Sequence, residues 1–167
     1  MRNFTATQKG LITGAAMIVN SFLIYNIRGS FTNNLQYITY SLYVAGILWT
    51  LIDFSKAAST DTKFGGYFSQ GFKCFIVVTL LMVLFTAGFL LMHPEMKEQM
   101  AAAYKADLIK GGNSTPSEIE DKIAMAKKSF MPVLLMGAIF GYLVIGAIVT
   151  ALTSAILMQT KKIKNQG

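Results

Sequence analysis

Four apolar stretches alternate with shorter polar ones along the chain, at residues 10–27, 37–54, 71–92 and 131–158. Inside each, ionisable residues are absent or confined to the ends. A helix needs about 20 mostly apolar residues to cross about 30 Å of hydrocarbon. The pattern therefore predicts an all-α integral membrane protein, one domain over residues 1–167 with four transmembrane helices. The sizeable polar segment is an insert between the third and fourth stretches, residues 93–130.

The insert has a helical pattern of its own. Met96, Met100, Tyr104 and Leu108 recur every four residues, predicting an amphipathic helix over 94–110 that Gly111-Gly112 stops. Thr115-Pro116-Ser117-Glu118 reads as a capping box with proline at the first helical position. The next helix, 116–130, presents Ile119, Ile123, Ala126 and Phe130 on one face, and Pro132 marks its join to the last span. Two arms of similar length across a tight turn suit an antiparallel hairpin, with Leu108 beside Ile119 and Met96 beside Phe130. The other arrangement lays both helices flat on the membrane surface.

Small and polar residues mark where the spans meet something other than lipid. Gly10 and Gly14 form a small-xxx-small pair in the first span, on the side of Met17, Ser21 and Tyr25. In the last span Gly137, Gly141, Ala147, Ala151 and Ala155 share about a quarter of the circumference at 100° per residue. That face packs either within the chain or on a partner's span. Asn20, near mid-membrane, wants a partner because lipid offers none: an interhelical hydrogen bond, or a ligand. Asp53 is expected at headgroup level, paired with Lys56 or Lys73. The connection 55–70 carries Gly65-Gly66 as a turn signal and Phe64, Tyr67 and Phe68 as interfacial aromatics. His93-Pro94 ends the third span.

Composition supports the membrane class. Charged residues make up 14% of the chain, against about 25% in a soluble domain. The net charge of +7 does not point to nucleic acid, because the cations flank spans instead of forming a patch with interleaved aromatics. Arg2, Lys9, Lys56, Lys63, Lys73, Lys161, Lys162 and Lys164 fall on the side of both termini, against Asp53 and Asp61. The positive-inside rule places that side in the cytoplasm and the insert outside, in the inner membrane. No small-residue cleavage site follows the first stretch, whose exit reads Asn26-Ile27-Arg28-Gly29-Ser30, so it is expected to stay as a span. Cys74 is the single cysteine and His93 the single histidine, too few for a zinc site or an internal disulfide.

Several segments match a known family. They are Gly10-Leu11-Ile12-Thr13-Gly14, Gly65-Gly66-Tyr67-Phe68-Ser69-Gln70-Gly71-Phe72-Lys73, His93-Pro94 and the Ser/Thr-rich start of the second insert helix. On these the chain resembles domain-of-unknown-function family 4199, small bacterial membrane proteins. The resemblance implies four spans with an extracytoplasmic insert, and carries no activity, catalytic residue or cofactor to transfer.

The residues leave three functional readings. One is a non-catalytic accessory or scaffold subunit, whose partners are the bilayer and either another membrane protein or a second copy. Another is a small oligomeric transporter or channel lined by Asn20, Thr79, Thr86, Thr150 and Ser154. The last is a membrane enzyme, for which the best pairs are His93 with Glu95 and Asp53 with Lys73. The spans hold no central charge and no clear inverted repeat, and no catalytic, cofactor or metal constellation stands out.

Overall fold

A computed structural model describes residues 4–28, 36–59 and 61–164; Arg2, the Gly29-Ser30 exit and the side chains of Arg28 and Lys164 lie outside them. The elements are α1 (Ala6–Arg28), α2 (Gln36–Ala57), α3 (Phe64–Met92), α4 (Glu95–Gly111) and α5 (Pro116–Lys164), with no strand among the described residues. Among the described residues, four helices are long and apolar enough to cross a membrane: Ala6–Ile27, Tyr37–Ala57, Phe64–Met92 and Pro116–Ile163. The architecture is all-α, as the hydrophobic pattern requires.

Two boundaries differ from expectation. α3 begins at Phe64, so Gly65 and Gly66 lie in its first turn instead of forming a loop. The Gly66 N–H donates to the Lys63 carbonyl at 2.9 Å, closing that turn. Rings one helical turn apart reinforce it: Phe64 stacks on Phe68 and Phe68 on Phe72, at centroid separations of 5.7 and 6.4 Å. α5 runs without a break through Pro132, for 49 residues. Proline deletes one backbone donor and crowds the carbonyl four residues back. Here it does not divide the insert helix from the last span.

The chain divides into two compact units, and each is described by itself. One comprises Met1–Met82 with Phe140–Gly167. Its α1 buries Ala6, Lys9, Gly10, Thr13, Gly14, Met17, Ser21 and Ile24, a stripe in steps of one, three and four. Thr5 and Gln8 close the N-terminus of α1 as a capping box: the Thr5 N–H donates to Gln8 Oε1 at 3.0 Å, and the Gln8 N–H to Thr5 Oγ1 at 3.3 Å.

Glycines set the interhelical spacing in this unit. A Cβ on Gly10 would lie 2.7 Å from the Cys74 carbonyl oxygen, and one on Gly14 would lie 2.6 Å from Leu81 Cδ1. Gly46 of α2 receives Thr13, Gly71 of α3 receives Thr150, and Gly146 of α5 receives Tyr43 and Phe75. A Cβ at any of these glycines would force a neighbour to shift, at Gly14 only the far end of the Leu81 side chain, and in lipid such close approach supplies the packing energy.

The other unit comprises Val83–Ile139. Pro94 caps α4, and Gly112 ends it in the left-handed conformation, φ 65°, its N–H donating to the Ile109 carbonyl. Thr115 and Glu118 form the expected capping box at the start of α5, at 2.8 and 3.3 Å. Lys127 of α5 pairs with Glu98 of α4. On α4 the buried residue is Ala101, whereas Met100 and Tyr104 are exposed, so the inward face is rotated from the expected stripe. On α5 Ile119 is buried, with Ile123, Ala126 and Phe130 half-buried.

Candidate functional site

The most concentrated chemistry lies in the unit of α1, α2, the start of α3 and the end of α5. Lys9 is only 3% exposed, one turn inside α1. Its ammonium pairs with the Asp53 carboxylate of α2 and lies over the Trp49 ring, 5.4 Å from the centroid. Phe4 meets the same indole edge-on at 6.4 Å. The expected partners of Asp53 are thereby corrected. Lys9 holds it, while Lys56 and Lys73 are both exposed and make no ion pair among the described residues. Lys9 begins the buried stripe of α1, so it projects toward α2, whereas Lys73 lies on the outward side of α3. A desolvated cation needs a counter-charge, and both a carboxylate and an aromatic face supply it.

Hydroxyls continue this polar character into the core. The Thr50 hydroxyl donates to the Gly46 carbonyl at 2.9 Å, and Cys74 Sγ approaches the same oxygen at 3.8 Å. Tyr43, fully buried, donates to the Tyr142 carbonyl at 2.8 Å and sets its ring edge-on to that of Tyr142. The Thr79 hydroxyl donates to the Phe75 carbonyl. Thr150 Oγ1 and Ser154 Oγ are buried without a hydrogen-bond partner among the described residues. At the end of the helix Lys161 donates to the Ser55 and Ala58 carbonyls, where α2 terminates. That position suits a cation, which meets the negative end of the helix dipole.

Asn20 makes the interhelical hydrogen bond: its Nδ2 donates to Thr39 Oγ1 at 2.9 Å. His93 and Glu95 form a pair, with Nδ1 and Oε1 at 2.6 Å, and the imidazole stacks on Phe89 at 4.3 Å. Among the small residues, Gly10 and Gly14 are buried against α3. Gly137 is exposed and Gly141 half-buried, and among the described residues nothing lies within 4 Å of where a Cβ on either would stand. Ala147, Ala151 and Ala155 are half-buried flanks. The buried seam of α5 is instead Gly146, Thr150 and Ser154, one residue and about 100° away from the alanine series. The Gly146-xxx-Thr150-xxx-Ser154 spacing was there to be read, because hydroxyl residues count as small in membrane packing. The Thr5-x-x-Gln8 box and the inward Lys9 were also missed; the first has a recognisable spacing and the second has none.

Within the unit of α1, α2, the start of α3 and the end of α5, these observations describe close-packed helices with a polar seam and a Lys9–Asp53 ion pair whose cation is buried and whose carboxylate is half-buried. A family model describes the same chain as a whole, matching residues 8–159. The chain belongs to the DUF4199 family. Its description is "Protein of unknown function", so membership in DUF4199 fixes kinship without an activity. Searches of curated proteins and of solved structures return no match.

Proposed function

We infer that this DUF4199 member is a non-catalytic accessory or scaffold subunit of a membrane or envelope complex. In this reading it is a multi-pass protein of the inner membrane with both termini in the cytoplasm. α4 and the first part of α5 form a helical hairpin outside. The observation that carries the reading is the contrast among glycines. Gly10, Gly14, Gly46, Gly71 and Gly146 are filled by neighbours, whereas Gly137 and Gly141, one turn apart on α5, meet nothing within 4 Å among the described residues. An open glycine pair on an apolar helix is the contact another span uses. The Glu98–Lys127 pair and the capped, left-handed Gly112 turn support the hairpin. The flanking lysines support the orientation.

The test is affinity purification of the tagged full chain in mild detergent. A stoichiometric membrane partner that is lost with Gly137→Leu/Gly141→Leu supports the reading. A chain that elutes alone and unaltered by those changes refutes it. One observation favours transport instead: the unpartnered hydroxyls of Thr150 and Ser154. A proteoliposome leak abolished by Thr150→Val would establish that alternative.

A further inference from the structure

Within the unit of residues 83–139, α4 and α5 part over a groove of about 300 Å³. Its walls include Met100, Phe130 and Leu134, and it forms where α4 presents the short side chain of Ala101. Met100 and Tyr104 flank that alanine without filling the gap. The charged residues lining the groove are Lys97 and Lys127, and no carboxylate lines it. Lys127 is neutralised by Glu98, whereas Lys97, half-buried, carries no ion pair among the described residues.

The mouth of the groove is apolar as well. Val133 lines it and is 65% exposed, and Met136 beyond it on α5 is 70% exposed. These residues begin the apolar stretch 131–158, so the groove opens where that stretch enters lipid. An apolar slot reached from the hydrocarbon side accepts an acyl chain. A lysine on the same slot, its stem along apolar surface and its amine free, accepts an anionic headgroup. A volume of this size is at the lower limit of small-ligand sites, enough for one chain and not for a bulky ring system.

We propose that this groove binds one anionic phospholipid, an acyl chain lying against Ala101, Phe130 and Leu134 and the phosphate on Lys97. The site does not depend on which complex the protein serves, nor on which side of the membrane the insert occupies. The phosphate makes a charge-assisted hydrogen bond to a lysine that is otherwise uncompensated, while the chain covers apolar surface that α4 and α5 leave open.

The full-length protein, purified in mild detergent, is to be titrated with phosphatidylglycerol and phosphatidylcholine of identical chains and read by native mass spectrometry. Phosphatidylglycerol should bind about fivefold more tightly, the factor one lysine near a membrane surface contributes. Lys97→Gln should abolish that preference while leaving phosphatidylcholine binding unchanged. Ala101→Leu should displace both lipids without altering helical circular dichroism. Glycerol 3-phosphate, a headgroup without chains, should not compete. Equal binding of the two lipids to the wild type, or lipid retention unaffected by both substitutions, overturns the proposal. Competition by glycerol 3-phosphate overturns it too, because the site would then be one for soluble phosphate. If Ala101→Leu unfolds the chain, Lys97→Gln, which adds no volume to the groove, decides alone.

Discussion

Replacing either of two glycines on α5 by alanine should move stability in opposite directions. A Cβ on Gly146 would overlap the Tyr43 hydroxyl and stand 2.7 and 2.9 Å from Cγ and Cδ2 of Phe75. Neither ring can retreat easily. Both are buried, and Tyr43 is tethered to the Tyr142 carbonyl by its 2.8 Å hydrogen bond. Overpacking of this kind costs about 1–3 kcal/mol. A lost Tyr43 hydrogen bond adds about 0.5–1.5 kcal/mol. Alanine's advantage over glycine in a helix returns about 0.5–1 kcal/mol. Gly146→Ala should therefore destabilise by about 0.5–4 kcal/mol once these are combined. Gly141→Ala meets nothing and keeps only the helical advantage, a gain of about 0.5–1 kcal/mol. Thermal unfolding of the purified variants in one detergent, followed by helical circular dichroism, separates them by several degrees, at about 2–4 °C per kcal/mol for a chain of this size. A Gly146→Ala protein as stable as wild type would refute the packing argument at that seam. A loss of stability in Gly141→Ala would show that its face is filled after all.

Other outcomes follow from the polar groups. Asp53→Asn should destabilise the bundle more than Lys9→Met, because the first strands a cation that is 4% exposed while the second leaves a carboxylate that is 37% exposed; unfolding midpoints in detergent in the reverse order would contradict this. Asn20→Ala and Thr39→Val should each cost about 0.6 kcal/mol, the average for hydrogen bonds between membrane helices. Their double mutant should cost hardly more than either alone, and additive losses in a double-mutant cycle would mean the bond contributes nothing. Thr150→Val and Ser154→Ala should be neutral or stabilising in the same assay, since each removes a buried hydroxyl without a partner; a loss of more than about 1 kcal/mol would indicate a bound water or ligand there.

Much of the helical framework was legible because its signals are local. Pro94, Gly112 and the Thr115/Glu118 box stop and start helices through groups a few residues apart, and these act whatever surrounds them. Asn20 could be assigned an interhelical bond because an amide in lipid has few alternatives. The misreadings are of another kind. Gly65-Gly66 and Pro132 are breakers whose effect depends on what the neighbouring turns gain from continuing, here the Phe64/Phe68/Phe72 stack on one side and a long apolar helix on the other. The partner of Asp53 was invisible because Lys9 is distant in sequence and looks like an ordinary flanking cation. Its inward rotation is a property of the α1 stripe. On α5 both the Gly/Ala series and the Gly146/Thr150/Ser154 series have the right period. Only the positions of Tyr43, Phe75 and Gly71 decide between them.

The contacts of Lys161 also fix a timetable. Its acceptors, the carbonyls of Ser55 and Ala58, precede it by 106 and 103 residues. At about 5–20 residues per second, a ribosome needs roughly 5–20 s to reach it after finishing α2. Throughout that interval the end of α2 waits for its cation, and for most of it Tyr43 lacks the Tyr142 carbonyl and Gly71 its Thr150. The early helices must thus stay in the bilayer as an unfinished bundle with polar groups uncovered.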